Sequence, residues 1–198
     1  MSALRQRSIN LTLALIGAAT LLVLPACSVN VKKGDKGEEK NVDIRTPLGG
    51  IHVSKGADAR DTGLAVYPGA RLKQEEEDGS QKNANVNLSF GSFGLKVVAV
   101  EYESDDAPEK ITSFYRNELK KYGAVVECHT QKHGGNVGIK NPNDSDSGPL
   151  SCEGDQGGTN IELKTGTKQN QRVVAIEPRD KGCKFALVRV QTRSDDTI

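Results

Sequence analysis

Between Ala84 and Phe90 the chain places apolar residues at every second position, and that period restricts what it can fold into more than any other feature. In "ANVNLSF" the residues Ala84, Val86, Leu88 and Phe90 fall on one side of an extended strand, because successive strand side chains point to opposite faces. The Gly91 to Gly94 segment supplies a turn, and "LKVVAVEYE" returns as a strand whose near-continuous apolar run marks deeper burial. The helical period appears once, in "DDAPEKITSFYRNELKKYG". There Ile111, Phe114, Tyr115, Leu119 and Tyr122 recur at spacings of three and four and form one apolar stripe, while Arg116, Lys120 and Lys121 face water near the negative end of the helix dipole. Asp106 and Glu109 make a capping-box pattern with Pro108 in the first turn, and Gly123 stops the helix.

Strand patterns surround this helix. "VDIRTPLGGIHVS" alternates through Val42 and Ile44, turns at Pro47 to Gly50 and resumes with Ile51 and Val53, which predicts a hairpin with His52 on the wet face. "GLAVYPGA" reads as a short strand closed by a turn from Tyr67 to Ala70, and "EEEDGSQK" as a solvated acidic edge. "AVVECH", "NIELKTGT", "RVVAIEP" and "KFALVRVQT" complete the set, with a turn at Pro178 to Gly182. One helix among many strands predicts an α+β fold, a mostly antiparallel sheet packed by one main amphipathic helix in two layers. The sheet's other face is then partly polar or covered by the N-terminal hairpin.

The first residues address location. Arg5 and Arg7 precede sixteen mostly apolar residues from Ile9 to Leu24, followed by small residues, the order of a secretory signal. A permanent span needs about 20 apolar residues, and Asn10, Thr12 and Thr20 weaken this run further. Its end, Leu24-Pro25-Ala26-Cys27, resembles the lipobox of bacterial lipoproteins. That resemblance implies a diacylglycerol on the Cys27 thiol, cleavage after Ala26 and a freed amine open to further acylation. At about 0.8 kcal/mol per buried methylene, two or three acyl chains hold a protein at a membrane. Ser28 in place of aspartate after the cysteine implies, by similarity to enterobacterial lipoproteins, the periplasmic side of the outer membrane. From Leu64 to Thr192 the layout, with "VYPGA" ahead of a hairpin and then the single helix, resembles a module of bacterial envelope lipoproteins that carries no transferable activity.

The expected organisation is a signal peptide at 1–26 and a lipidated cysteine with a solvated tether at 27–41. One domain follows at 42–193, with an N-terminal hairpin region at 42–63, a loop insertion at 130–158 and a tail at 194–198. Removing the signal leaves 198 − 26 = 172 residues with 27 − 2 = 25 basic against 26 acidic side chains. Such a balance argues against a nucleic-acid partner and against a polybasic membrane patch. With no tryptophan and four phenylalanines, an aromatic stacking surface is not expected either.

Outside the cytoplasm thiols pair, and Cys128, Cys152 and Cys183 make an odd set beside Cys27. A Cys128–Cys152 disulfide at the base of the insertion is the preferred pairing, leaving Cys183 as a buried thiol or an alternative partner. Cys128, His129, His133 and Cys152 also form a possible zinc set, but neighbours on a strand point apart and an oxidising compartment favours the disulfide. Asp144, Asp146 and Asp155 imitate a calcium loop, yet glycine and proline occupy the positions where an oxygen ligand and then glycine are required. There is no G-x-S-x-G elbow, no H-E-x-x-H helix, and "GGNVGIKN" lacks the lysine pairing of a phosphate loop. The expectation is a non-catalytic, cofactor-free binding or structural module with a membrane and an envelope protein as partners. Two readings compete with it: a metal-dependent protein or hydrolase using the Cys128 region, and a small-ligand carrier with a cleft beside Ile111, Tyr115 and Leu119.

Overall fold

The computed structural model describes residues 27–32, 41–54, 56–73, 83–131, 150–152 and 157–193. The signal segment to Ala26, the acidic run after Lys73, His133, Asp144, Asp146, Asp155, the "GGNVGIKN" stretch and the tail at 194–198 lie outside the described residues.

The chain runs β1 (Ser28–Lys32), β2 (Asn41–Thr46), β3 (Gly49–Ser54), α1 (Ala59–Thr62), β4 (Arg71–Leu72), β5 (Asn83–Phe90) and β6 (Phe93–Ser104). It continues through α2 (Pro108–Leu119), a 3-10 turn (Lys120–Tyr122), β7 (Val126–Thr130), β8 (Asn160–Thr167), β9 (Asn170–Pro178) and β10 (Cys183–Arg193). All ten strands join one antiparallel sheet in the order β1-β2-β3-β5-β6-β10-β9-β8-β7, with β4 on the end of β6. β6 is the hinge of this arrangement. Its first part pairs with β5, while Gly94 to Ser104 pairs along its length with Arg193 to Cys183 of β10.

The core lies on one face of the β6 to β8 half. Leu163, Val174, Leu187 and Val100 stand opposite one another across four strands, and Ile176, Phe185 and Tyr102 form the next row. Ile111, Tyr115 and Leu119 of α2 close over these rows and are fully buried. Burying each such side chain contributes about 1.5–3 kcal/mol. Phe185 touches both Tyr102 and Tyr115, with ring centres 5.7 and 5.5 Å away. The Tyr115 hydroxyl accepts from the Tyr67 backbone N–H at 3.1 Å, which satisfies a polar group inside the core. At the β9–β10 turn Gly182 has φ +72°, and a Cβ there would meet the Ser104 carbonyl oxygen at 2.0 Å, so glycine is required twice over.

The expected α+β class does not hold: the described residues form a ten-strand antiparallel sheet with two short helices. Nine strands in line span roughly 38 Å at about 4.8 Å each, whereas a helix is about 10 Å wide, so α2 covers only a part of one face. The N-terminal hairpin of β2 and β3 does not fold over the second face. It pairs edge to edge with β5 and widens the sheet.

Three local expectations also change. Ser28 to Lys32, read as tether, is an edge strand paired with β2, because Val29 and Val31 alternate in step with Ile44 and Val42. Leu64 to Tyr67 is not a strand: Leu64 enters the core and the Tyr67 N–H is taken by Tyr115. The capping box does not form. Ala107 occupies the cap position without a side-chain bond, and Asp106 is held instead by Lys110 at 2.7 Å and by the Tyr67 hydroxyl at 3.0 Å.

Candidate functional site: the Cys27 edge and the disulfide corner

Two regions collect the residues that sequence singled out. The first is the sheet edge at Cys27, whose thiol is free and exposed. The next residue, Ser28, already belongs to β1 and stands opposite Arg45. No spacer separates the cysteine from the sheet.

Beyond this edge the pleat sorts side chains by face. Val42, Ile44, Ile51, Val53, Val86 and Leu88 share one face and are half-buried, a row set by the register of β2, β3 and β5. Asp43, His52, Asn87 and Lys96 line up on the other face, where a shallow concavity of about 890 Å³ includes them. Arg45 donates to both oxygens of Asp43 at 3.2 and 3.0 Å and holds that carboxyl below its ordinary range. His52 sits on the exposed polar face, as its alternation with Ile51 and Val53 requires.

The second region is the corner where β7 meets the insertion. Cys128 is joined to Cys152 with an S–S distance of 2.01 Å and a Cα separation of 5.5 Å. Cys128 points away from α2, beside Glu162 of β8, whose carboxylate pairs with Lys164 at 3.0 Å. That pair is nearly buried, with side-chain exposures of 6% and 12%. His129 points to the opposite face, where its Nε2 lies 3.4 Å from Glu127. Glu127 in turn pairs with Arg116 of α2 and ties the edge strand to the helix.

Cys128, His129 and Cys152 of the possible zinc set are therefore not brought together as ligands. Both sulfurs are spent in the disulfide, and His129 is on the wrong side of the strand to join them. Among the described residues no group of three His, Cys, Asp or Glu side chains is placed to hold a metal ion. Cys183 is the free buried thiol, facing the core at the start of β10. Burial, with Asp106 and Glu109 adding to it, pushes that thiol up to about 11, so it is held as the unreactive neutral form. The face of Ile111, Tyr115 and Leu119 is sealed against the sheet and offers no cleft.

Sequence reasoning missed one polar feature. Glu101, Gln131, Asn160 and Lys184 line a second concavity of about 490 Å³ near the disulfide, and Glu101 Oε2 is buried without a hydrogen-bond partner among the described residues. Nothing local in the sequence signals it, because Glu101, Gln131, Asn160 and Lys184 come from separate segments that meet only through strand pairing. Comparison of the chain with protein-family models, curated proteins and solved structures finds no match.

Proposed function

We propose that this chain is a lipid-anchored protein of the bacterial cell envelope that acts through binding or structural contact and performs no chemistry. The observation that carries this reading is the coincidence of Leu24-Pro25-Ala26-Cys27 after an apolar leader with a Cys27 that is exposed, unpaired and immediately followed by strand β1. A lipid-bearing cysteine has to be accessible to the bilayer, and a thiol buried in a core would serve no anchor. The outer membrane's periplasmic side is the location favoured by Ser28. The disulfide at Cys128 and Cys152 suits an oxidising compartment.

Growth of the native cells with labelled palmitate, followed by fractionation, tests this. The protein carries label and sediments with membranes, and Cys27→Ser loses both. An unlabelled wild-type chain in the soluble fraction overturns the proposal.

A further inference from the structure

Strand register gathers apolar features at one end of the sheet. Ser28 stands opposite Arg45, so Cys27 lies beside Thr46, next to the β2–β3 turn that carries Leu48. Gly49 pairs with Phe90 and Phe90 with Phe93, so the β5–β6 turn closes at that same end. Leu48 is 80% exposed, Val29 63% and Phe90 45%. Of the described exposed large hydrophobics only Val66 and Leu72 remain, and Leu72 pairs with Tyr102, about 30 Å from Phe93 along β6.

The rim is roughly 19 Å long from β1 to β6. Neither "IRTPLGGI" around the first turn nor "LSFGSFGL" around the second contains an acidic residue. Arg45 and Arg193 flank the tips, Arg45 paired with Asp43 and Arg193 opposite Gly94. The β8–β9 turn at the same end, Thr167 to Asn170, is polar, which confines the apolar rim to the half that begins at Cys27. Isolated exposed apolar residues are ordinary on a protein surface, but several collected on one edge mark a contact.

We infer that this end of the sheet, with Leu48, Phe90 and Phe93, seats in the boundary between headgroups and acyl chains of a lipid bilayer. The inference deepens the anchoring reading and rests on it in one respect: acyl chains on Cys27 hold the tips at the surface. The row Cys128, Glu162, Ala175, Ala186 and Glu101 then lies about 25 Å from the bilayer, so the disulfide corner is carried clear of it.

The test uses the full chain as its cells process it, with single variants Leu48→Cys, Phe90→Cys, Val66→Cys and Leu72→Cys bearing an environment-sensitive fluorophore. Each is reconstituted into vesicles of phosphatidylethanolamine and phosphatidylglycerol containing a lipid-borne quencher, with circular dichroism to verify the fold. Emission at 48 and 90 shifts to the blue and is quenched, while emission at 66 and 72 does neither. Absence of quenching at 48 and 90 on a chain whose Cys27 carries lipid overturns the rim and leaves the anchor standing. Quenching at 48 and 90 with a bare Cys27 retains the rim and removes the anchor. Cross-linking of position 48 between two copies without lipid quenching assigns the rim to self-association and overturns the inference.

Discussion

Removing the disulfide with Cys128→Ala and Cys152→Ala together perturbs the fold through a quantity that loop length alone supplies. The two cysteines are 24 residues apart. Closing a loop of that size restricts the unfolded chain by roughly 3.5 kcal/mol in the chain-entropy model. For a chain of this size each kcal/mol moves the melting temperature by about 2–4 °C, so the double variant melts about 10 °C lower than the parent. Cys152→Ala alone gives nearly the same shift, because both substitutions delete one shared bond and their effects do not add. Thermal unfolding followed by circular dichroism, with and without a reductant, reads both effects. The reductant lowers the parent's midpoint to that of the double variant and leaves the variant unchanged. A double variant within about 2 °C of the parent refutes the reasoning, as does a parent indifferent to reductant.

Tyr115→Phe strips the acceptor from the Tyr67 N–H inside the core and lowers stability by about 1–3 kcal/mol in urea unfolding, without changing the far-ultraviolet spectrum. Glu162→Ala leaves Lys164 nearly buried without its partner and costs about 3 kcal/mol in the same assay. Because folding lifts the Cys183 thiol from 9.0 to about 11, the folded chain keeps a proton that the unfolded chain releases. Stability is therefore unaffected by this group below about pH 9 and falls as the pH rises from about 9 to about 11. Cys183→Ala removes this group's share of that fall, the part between about pH 9 and 10 before the raised Tyr67, Tyr102 and Tyr115 add theirs, and in the native parent Cys183 resists alkylation near pH 8 until denaturant is added.

What could be read from sequence was decided by period. The strands β5, β6, β8, β9 and β10 follow alternations long enough to define a face, and the stripe of Ile111, Tyr115 and Leu119 could only be helical. Cys128 and His129 were separable for the same reason, as adjacent residues of one strand. What failed was the choice of neighbour. Val42, Ile44, Ile51 and Val53 alternate identically whether their hairpin stacks on a sheet or extends it, and backbone pairing with β5 leaves no trace in residue type. β1 offers just Val29 and Val31 before a charged run, so its pairing with β2 was hidden. Asp106 looked like a cap until Tyr67, far away in sequence, took its carboxylate. The apolar rim was illegible because Cys27, Leu48 and Phe90 meet only through the register of five strands.

Mass spectrometry of the N-terminal peptide from the native cells tests the proposed lipid anchor most directly. The chain should begin at Cys27, with residues 1–26 gone and the mass of a diacylglycerol added at that cysteine. A peptide that retains the leader, or one that begins there with a bare thiol, contradicts it.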